Sequence, residues 1–279
     1  MSSPVVEKQA LLDLEWVLTS PSLVDDPKAI GVVDFAPDSV DLDHLNAFVA
    51  ERPQHRVGKY FETLLEYWLA HVRDVDLIDV GRQLRDGQGR TVGELDFLFR
   101  DEQNRFCHCE ASVKFFLHHP RSGTSHYPGP AARDNFERKA TKLFERQLPL
   151  SIDHVPEVED RLGFVRGYIF YELGSDGPQG RPPRLAEDHL RGAWVRATNI
   201  SDLERFEGAQ FHIVSKPHWL APIADAEGRP FAAFADQLTS HFAGPAYPMM
   251  VSVVGAEAQE VARCCVVSEE WPDDADRWR

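Results

Sequence analysis

TVGELDFLFR, residues Thr91–Arg100, and RFCHCEASVKFFL, residues Arg105–Leu117, decide the fold of this chain. Both are rich in β-formers, and Asp101-Glu102-Gln103-Asn104 between them has the composition of a turn, so the pair predicts two strands of a meander. Alternate side chains of a strand share a face. Leu95, Phe97 and Phe99 then point one way and Glu94 and Asp96 the other; in the second strand His108, Glu110, Ser112 and Lys114 oppose Cys107, Cys109, Ala111, Val113 and Phe115. If the strands pair, Asp96 and Glu110 converge within reach of one divalent cation, and hard carboxylate oxygens suit Mg²⁺ or Mn²⁺. An amphipathic hairpin with a solvated charged face produces the same alternation, so spacing alone leaves both readings open.

Upstream, Leu77–Leu84 predicts another strand, closed by Arg85-Asp86-Gly87-Gln88-Gly89-Arg90, and Val57–Val72 predicts a helix whose Phe61, Leu64, Leu65, Trp68 and Leu69 form one stripe. Glu62 borders that stripe, with Glu66 turned further to solvent. A helix over Val5–Leu18 ends before Pro21, and Asp25–Asp43 reads as an acidic connector. Downstream, the loop His118–Pro130 carries His118, His119 and His126 at no metal-ligand spacing, so they are read as solvent-facing. A helix from Ala131 to Gln147 presents Arg138, Lys139 and Lys142 for phosphate contact or as a solvated face laced with ion pairs, and Gly163–Tyr171 reads as a buried strand. The order helix, three strands, helix, strand predicts an α/β fold. Phe211–Val214, Met249–Val254 and Val261–Val267 predict later strands, within a single domain over residues 1–279.

The composition, 43% hydrophobic and 27% charged, is that of a chain that buries a core. No apolar run reaches membrane-span length and the first residues lack a signal peptide's regions, so the expected location is the cytoplasm, with no membrane partner. Cys107, Cys109, Cys264 and Cys265 form no C-x₂-C pair and are read as buried, reduced thiols. The net charge of -15 excludes a surface that is basic throughout. Its distribution is uneven: Glu51–Arg146 holds 16 Lys+Arg against 15 Asp+Glu, and the remainder 14 against 30. Phosphate binding, if any, belongs in the middle of the chain.

KYFETLLEYWL, VGELDFLFR, CEASVKFFL, GPAARDNFERKATKLFERQL, RGYIFY, LRGAWVR and SKPHWLAP together resemble an uncharacterised bacterial family, domain of unknown function 1853. Glu62 in a helix, Asp96 in GELDFLFR, and Glu110 and Lys114 in HCEASVK also resemble the PD-(D/E)XK nuclease superfamily. That resemblance implies a restriction-endonuclease-like α-β-β-β-α-β core over about residues 55–172, with a mixed central sheet flanked by helices, an N-terminal helix and a C-terminal extension over about 184–270. It further implies Asp96 and Glu110 as metal ligands for Mg²⁺ or Mn²⁺, Glu62 as a supporting acid, Lys114 as the catalytic lysine, and DNA or RNA as substrate. The sequence departs from Glu-x-Lys, having Ser112 where the lysine is usual and Lys114 two residues on, and Leu95 stands where a proline is usual. A catalytically inactive nucleic-acid-binding module and a non-nucleic-acid adaptor are the rival expectations.

Overall fold

A computed structural model describes residues 4–52, 55–121, 124–175, 177–178, 180–224, 226–244 and 246–273. One mixed eight-stranded sheet runs through it. Its strands are β1 (Asp76–Arg85), β2 (Thr91–Arg100), β3 (Phe106–Leu117), β6 (Asp160–Glu172), β7 (Leu190–Arg196), β8 (Gln210–Val214), β9 (Met249–Val254) and β10 (Glu260–Val267), in the order β1-β2-β3-β6-β7-β10-β9-β8. A separate short hairpin, β4 (His119–Arg121) with β5 (Thr124–His126), occupies the loop after β3. The four central strands β3, β6, β7 and β10 are parallel, and the antiparallel pairs lie at the two ends.

Parallel strands are covered on both faces, and β6 has the composition this requires. Phe164, Tyr168 and Phe170 enter one core cluster with helices α1 (Pro4–Thr19) and α3 (Val57–His71). Val165, Ile169 and Tyr171 enter a second with α4 (Phe136–Lys142). Leu84, Leu95, Leu98 and Phe106 pack with Val155 and Val158, next to α5 (Leu150–His154), and helix α6 (Phe231–Phe242) closes a further cluster over β8 and β9.

Arg166, fully buried in the middle of β6, meets no carboxylate among the described residues. Its guanidinium donates to the carbonyls of Val17 (2.9 Å), Ile30 (2.9 Å) and Gly31 (2.6 Å) and lies over the Phe164 ring. Burial lowers its pKa to about 10, still far above neutrality, so the charge is retained. Asp13 of α1, also fully buried, accepts from Tyr60 Oη (2.9 Å), the Ala221 N–H (3.0 Å) and Gln9 Nε2 (3.2 Å), with His218 Nδ1 at 3.1 Å. These two groups tie the N-terminal helix to the sheet and to the SKPHWLAP segment.

The helix expected from Ala131 begins only at Phe136, where the Asn135 side chain caps it by accepting the Arg138 N–H at 2.9 Å. It passes into a π-turn over Leu143–Gln147. Helix α2 (Leu42–Ala50), capped by Asp41, takes over the end of the expected connector. Strand β7 and helices α5 and α6 have no counterpart in the sequence reading. The cysteines are free and buried, as expected. His118 is buried, not solvent-facing, because the rings of Tyr127 and Tyr171 pack against it and the Trp194 indole N–H donates to its carbonyl. Among the described residues no helix is long and apolar enough to cross a membrane.

Replacing Arg166 by Met keeps the bulk and removes the donor from the buried Val17 carbonyl and from the more accessible Ile30 and Gly31 carbonyls. Chemical denaturation is expected to show a loss of about 3 kcal/mol or more; a loss under about 1 kcal/mol would show that the guanidinium is not needed there.

Candidate functional site

The β2–β3 ladder is short. It runs from Arg100↔Phe106 to Phe97↔Cys109 and stops, whereas β2 stays paired with β1 from Thr91 to Arg100. At the next step the Asp96 carboxylate takes over: its Oδ2 accepts the Ala111 N–H at 2.8 Å. A backbone donor freed where strands part needs another acceptor, and Asp96 supplies it. Leu95 leaves the side of Phe97 and Phe99 at this point and joins Leu98 in the α5 cluster, so the strict alternation expected of β2 breaks beside Asp96.

Strand β3 continues along β6 without a break from Cys107↔Asp160 to Leu117↔Phe170. No bulge shortens the path from Glu110 to Lys114. Gly167 sits opposite Lys114 with φ +145°, and a Cβ there would lie 1.7 Å from the Lys114 carbonyl oxygen, so only glycine permits this approach.

The parted strands open a cleft of about 220 Å³. Glu62 from α3, Asp96 from β2, Ser112 and Lys114 from β3, and Lys139, Lys142 and Gln147 from α4 and its π-turn line it, over an apolar floor that includes Phe116, Phe136 and Val165. Glu110 is 1% exposed and lies behind the wall; its Oε1 is 2.9 Å from His108 Nε2 and its Oε2 accepts from Gln147 Nε2 at 2.6 Å. The polar face of β3 is therefore not a solvated face at Glu110 and His108. Helix α5 covers it, with Ser151 Oγ 3.1 Å from His108 Nδ1.

Electrostatics link these groups. Burial and, next, the Glu110 charge raise the Asp96 pKa to about 8; Glu62 and Glu94 push the same way, and the Ala111 N–H opposes them. Lys114 has its pKa lowered by burial and by Lys139, against the pull of Asp134, Glu62 and Asp96. Its ammonium makes no ion pair among the described residues, whereas Glu62 pairs with Lys59 (3.1 Å) and Lys139 with Asp134 (3.3 Å). Glu66 is held by Arg52 at 3.0 Å and is less exposed than Glu62, 21% against 31%, the reverse of the expected order. Arg138 lies outside the cleft, in a neighbouring depression with His119, His126 and Asn135, where it donates to the Arg133 carbonyl. The structure thus gathers Glu62, Asp96, Lys114, Lys139 and Lys142 around one cleft, with Glu110 behind it, and leaves Arg138 out. Sequence reasoning missed Gln147, which reaches Glu110 from 37 residues away with no local signal.

A second group of donor atoms, from Asp101, Cys107 and Asp160, lies within 4.8 Å of one another. The Arg105 guanidinium pairs with both carboxylates at 2.6 Å, and burial raises the Cys107 thiol to about 11. Arg105 already offsets part of the charge of this group.

Residues 12–267 match the model of the family described as Domain of unknown function (DUF1853). The chain belongs to that family. No curated protein and no solved structure matches this family member.

The raised Asp96 pKa fixes a pH dependence. An acid whose folded pKa lies above its unfolded value holds a proton in the folded state that the unfolded chain has released, so stability falls as pH rises from about 4 to about 8 and levels off above. Without added metal, Asp96→Asn is expected to be more stable than wild type at pH 8, with the gain vanishing toward pH 4. Urea titrations at several pH values check this; parallel stability profiles for the two proteins would contradict it.

Proposed function

We propose that the cleft is a PD-(D/E)XK-type site for divalent-metal-dependent hydrolysis of a phosphodiester in DNA or RNA. The observation that carries this reading is that Asp96, Glu62 and Lys114 line one cleft where β2 parts from β3, with Glu110 behind its wall and close enough for its charge to act on Asp96. The element order α3-β1-β2-β3-α4-β6, with the short β4–β5 hairpin before α4 and the π-turn and α5 after it, supports the restriction-endonuclease-like core that the resemblance implies.

The donor set fits Mg²⁺ or Mn²⁺. Two mutually repelling carboxylates, one holding a proton near neutrality, are a site that a hard divalent cation relieves, and each retains lone pairs beyond the hydrogen bonds it accepts. Such a cation, held by Asp96 and Glu110, supplies acidification of water and neutralisation of phosphate charge. In this reading Lys114 stabilises the charge that builds on the phosphoryl oxygens as the water oxygen–phosphorus bond forms and the bond to the leaving oxygen breaks. Glu62 orients the attacking water, whose proton passes to solvent. Lys139 and Lys142 contact flanking phosphates. The shift of the lysine to Lys114 keeps it on the Glu110 face of a regular strand, at the cleft wall.

Mn²⁺ or Mg²⁺ is expected to raise the melting temperature of wild type and not of Asp96→Asn, and Lys114→Met is expected to keep the metal response while losing about 10²-fold or more in cleavage rate. Equal metal stabilisation of wild type and Asp96→Asn would overturn the metal assignment. Metal binding without cleavage of any DNA or RNA would turn the reading to the inactive nucleic-acid-binding module; neither metal nor nucleic-acid binding, to the adaptor. Because Lys142 lines the cleft and Arg138 does not, Lys142→Glu should weaken nucleic-acid binding and reduce its log–log salt slope by about one, and Arg138→Glu should do less. A larger effect of Arg138→Glu would move the binding face to the neighbouring depression.

A further inference from the structure

We infer that Gln147 and His108 are positioning residues that set the Glu110 carboxylate as a ligand for the divalent cation; the inference rests on the metal-site reading above.

A carboxylate removed from water is costly unless its oxygens are satisfied. Glu110, 1% exposed, has no Arg or Lys partner among the described residues. Each oxygen is instead met by one nitrogen, Oε1 by His108 Nε2 of the same strand at 2.9 Å and Oε2 by Gln147 Nε2 of the π-turn at 2.6 Å. One contact on each oxygen restrains the orientation of the carboxylate. Each oxygen keeps a lone pair, so the pair of contacts orients the group without using up its capacity to ligate.

Both partners are themselves held. The His108 ring, fully buried two residues before Glu110 on the same face of β3, meets Ser151 Oγ through Nδ1 at 3.1 Å, and that hydroxyl lies 3.3 Å from the Leu148 carbonyl it donates to. With Nε2 on a carboxylate oxygen, Nδ1 lies against a hydroxyl that is itself anchored on the Leu148 carbonyl, and the two contacts hold the orientation of the ring. Gln147 reaches Glu110 from the end of the π-turn Leu143–Gln147, where the Leu148 N–H bonds the Leu143 carbonyl at 3.0 Å, five residues back. The extra residue in that turn rotates the following side chain relative to an α-helix. Asp96 differs: only Oδ2 is held, by Ala111, and Oδ1 has no hydrogen-bond donor among the described residues. Glu110 is thus the fixed member of the ligand pair. Outer partners of this kind commonly govern metal affinity by 10- to 100-fold.

A purely structural role for the two contacts would change stability and leave metal affinity alone, which gives the test. Mn²⁺ affinity is measured by isothermal titration calorimetry on the full chain, with circular dichroism and urea denaturation to establish that each variant is folded. Gln147→Leu, half-buried at the cleft wall, is expected to fold and to bind Mn²⁺ about 10- to 100-fold more weakly. His108→Leu is expected to do the same, and His108→Gln, which keeps an N–H donor, to recover much of the loss. If His108→Leu does not fold, Gln147→Leu and His108→Gln decide. In cleavage assays the loss is expected in kcat, with KM for nucleic acid little changed. Folded Gln147→Leu with wild-type Mn²⁺ affinity would overturn the inference while leaving the metal site standing; wild type that binds no Mn²⁺ would overturn the metal reading and this inference with it.

Discussion

A strand ladder that stops inside a sheet leaves backbone groups to be satisfied by something else, and here that something is the Asp96 carboxylate on the Ala111 N–H. Because β2 remains paired with β1 along its length while leaving β3 after Phe97↔Cys109, the two strands diverge at the position where β3 carries Glu110. Glu62 from α3 and Lys139, Lys142 and Gln147 from the opposite layer line the resulting gap together with Asp96 and Lys114. Asp96 serves both as the acceptor that ends the ladder and as the carboxylate most perturbed by its surroundings. Structure and chemistry therefore meet in one side chain.

Elsewhere in the fold, buried guanidinium groups tie loops to the sheet through backbone carbonyls. Arg166 binds three carbonyls of the N-terminal segment, and Arg263, paired with Glu260, also donates to the carbonyls of Trp219, Leu220 and Ala221. Each guanidinium offers several donors in a fixed plane, so one residue can hold a loop at several points where a lysine would hold it at one. The Arg166 clamp bears on the site directly: Leu23 and Val24, on the same N-terminal segment, form part of the cleft wall, and the Leu23 N–H bonds the Val165 carbonyl at 3.0 Å. Strand β6 thus positions Lys114 through Gly167 and the wall facing it through Val165 and Arg166.

Much of the frame was legible because it is written in local periodicity. The stripe of α3 and the alternation of β2 and β3 placed those elements to within a residue or two, and with them Asp96, Glu110, Glu62 and Lys114. What escaped was set by tertiary contacts. The sequence reading left open a solvated face on β3 as one of two alternatives, whereas α5, a helix of five residues with no periodicity to read, buries His108 and Glu110. Asn135, an acceptable helix residue by pattern, acts as a cap and shifts the start of α4. Strand β7 carries Gly192, where a Cβ would lie 2.4 Å from the Phe170 ring; the glycine that weakens the strand signal is demanded by packing. The Gln147–Glu110 contact depends on a π-turn that no spacing rule anticipates.

Anomalous scattering from crystals grown or soaked with Mn²⁺ tests the central claim most directly. A single strong peak is expected in the gap between β2 and β3, about 2.1 Å from carboxylate oxygens of both Asp96 and Glu110. A peak instead between Asp101, Cys107 and Asp160, or none at millimolar Mn²⁺, would contradict it.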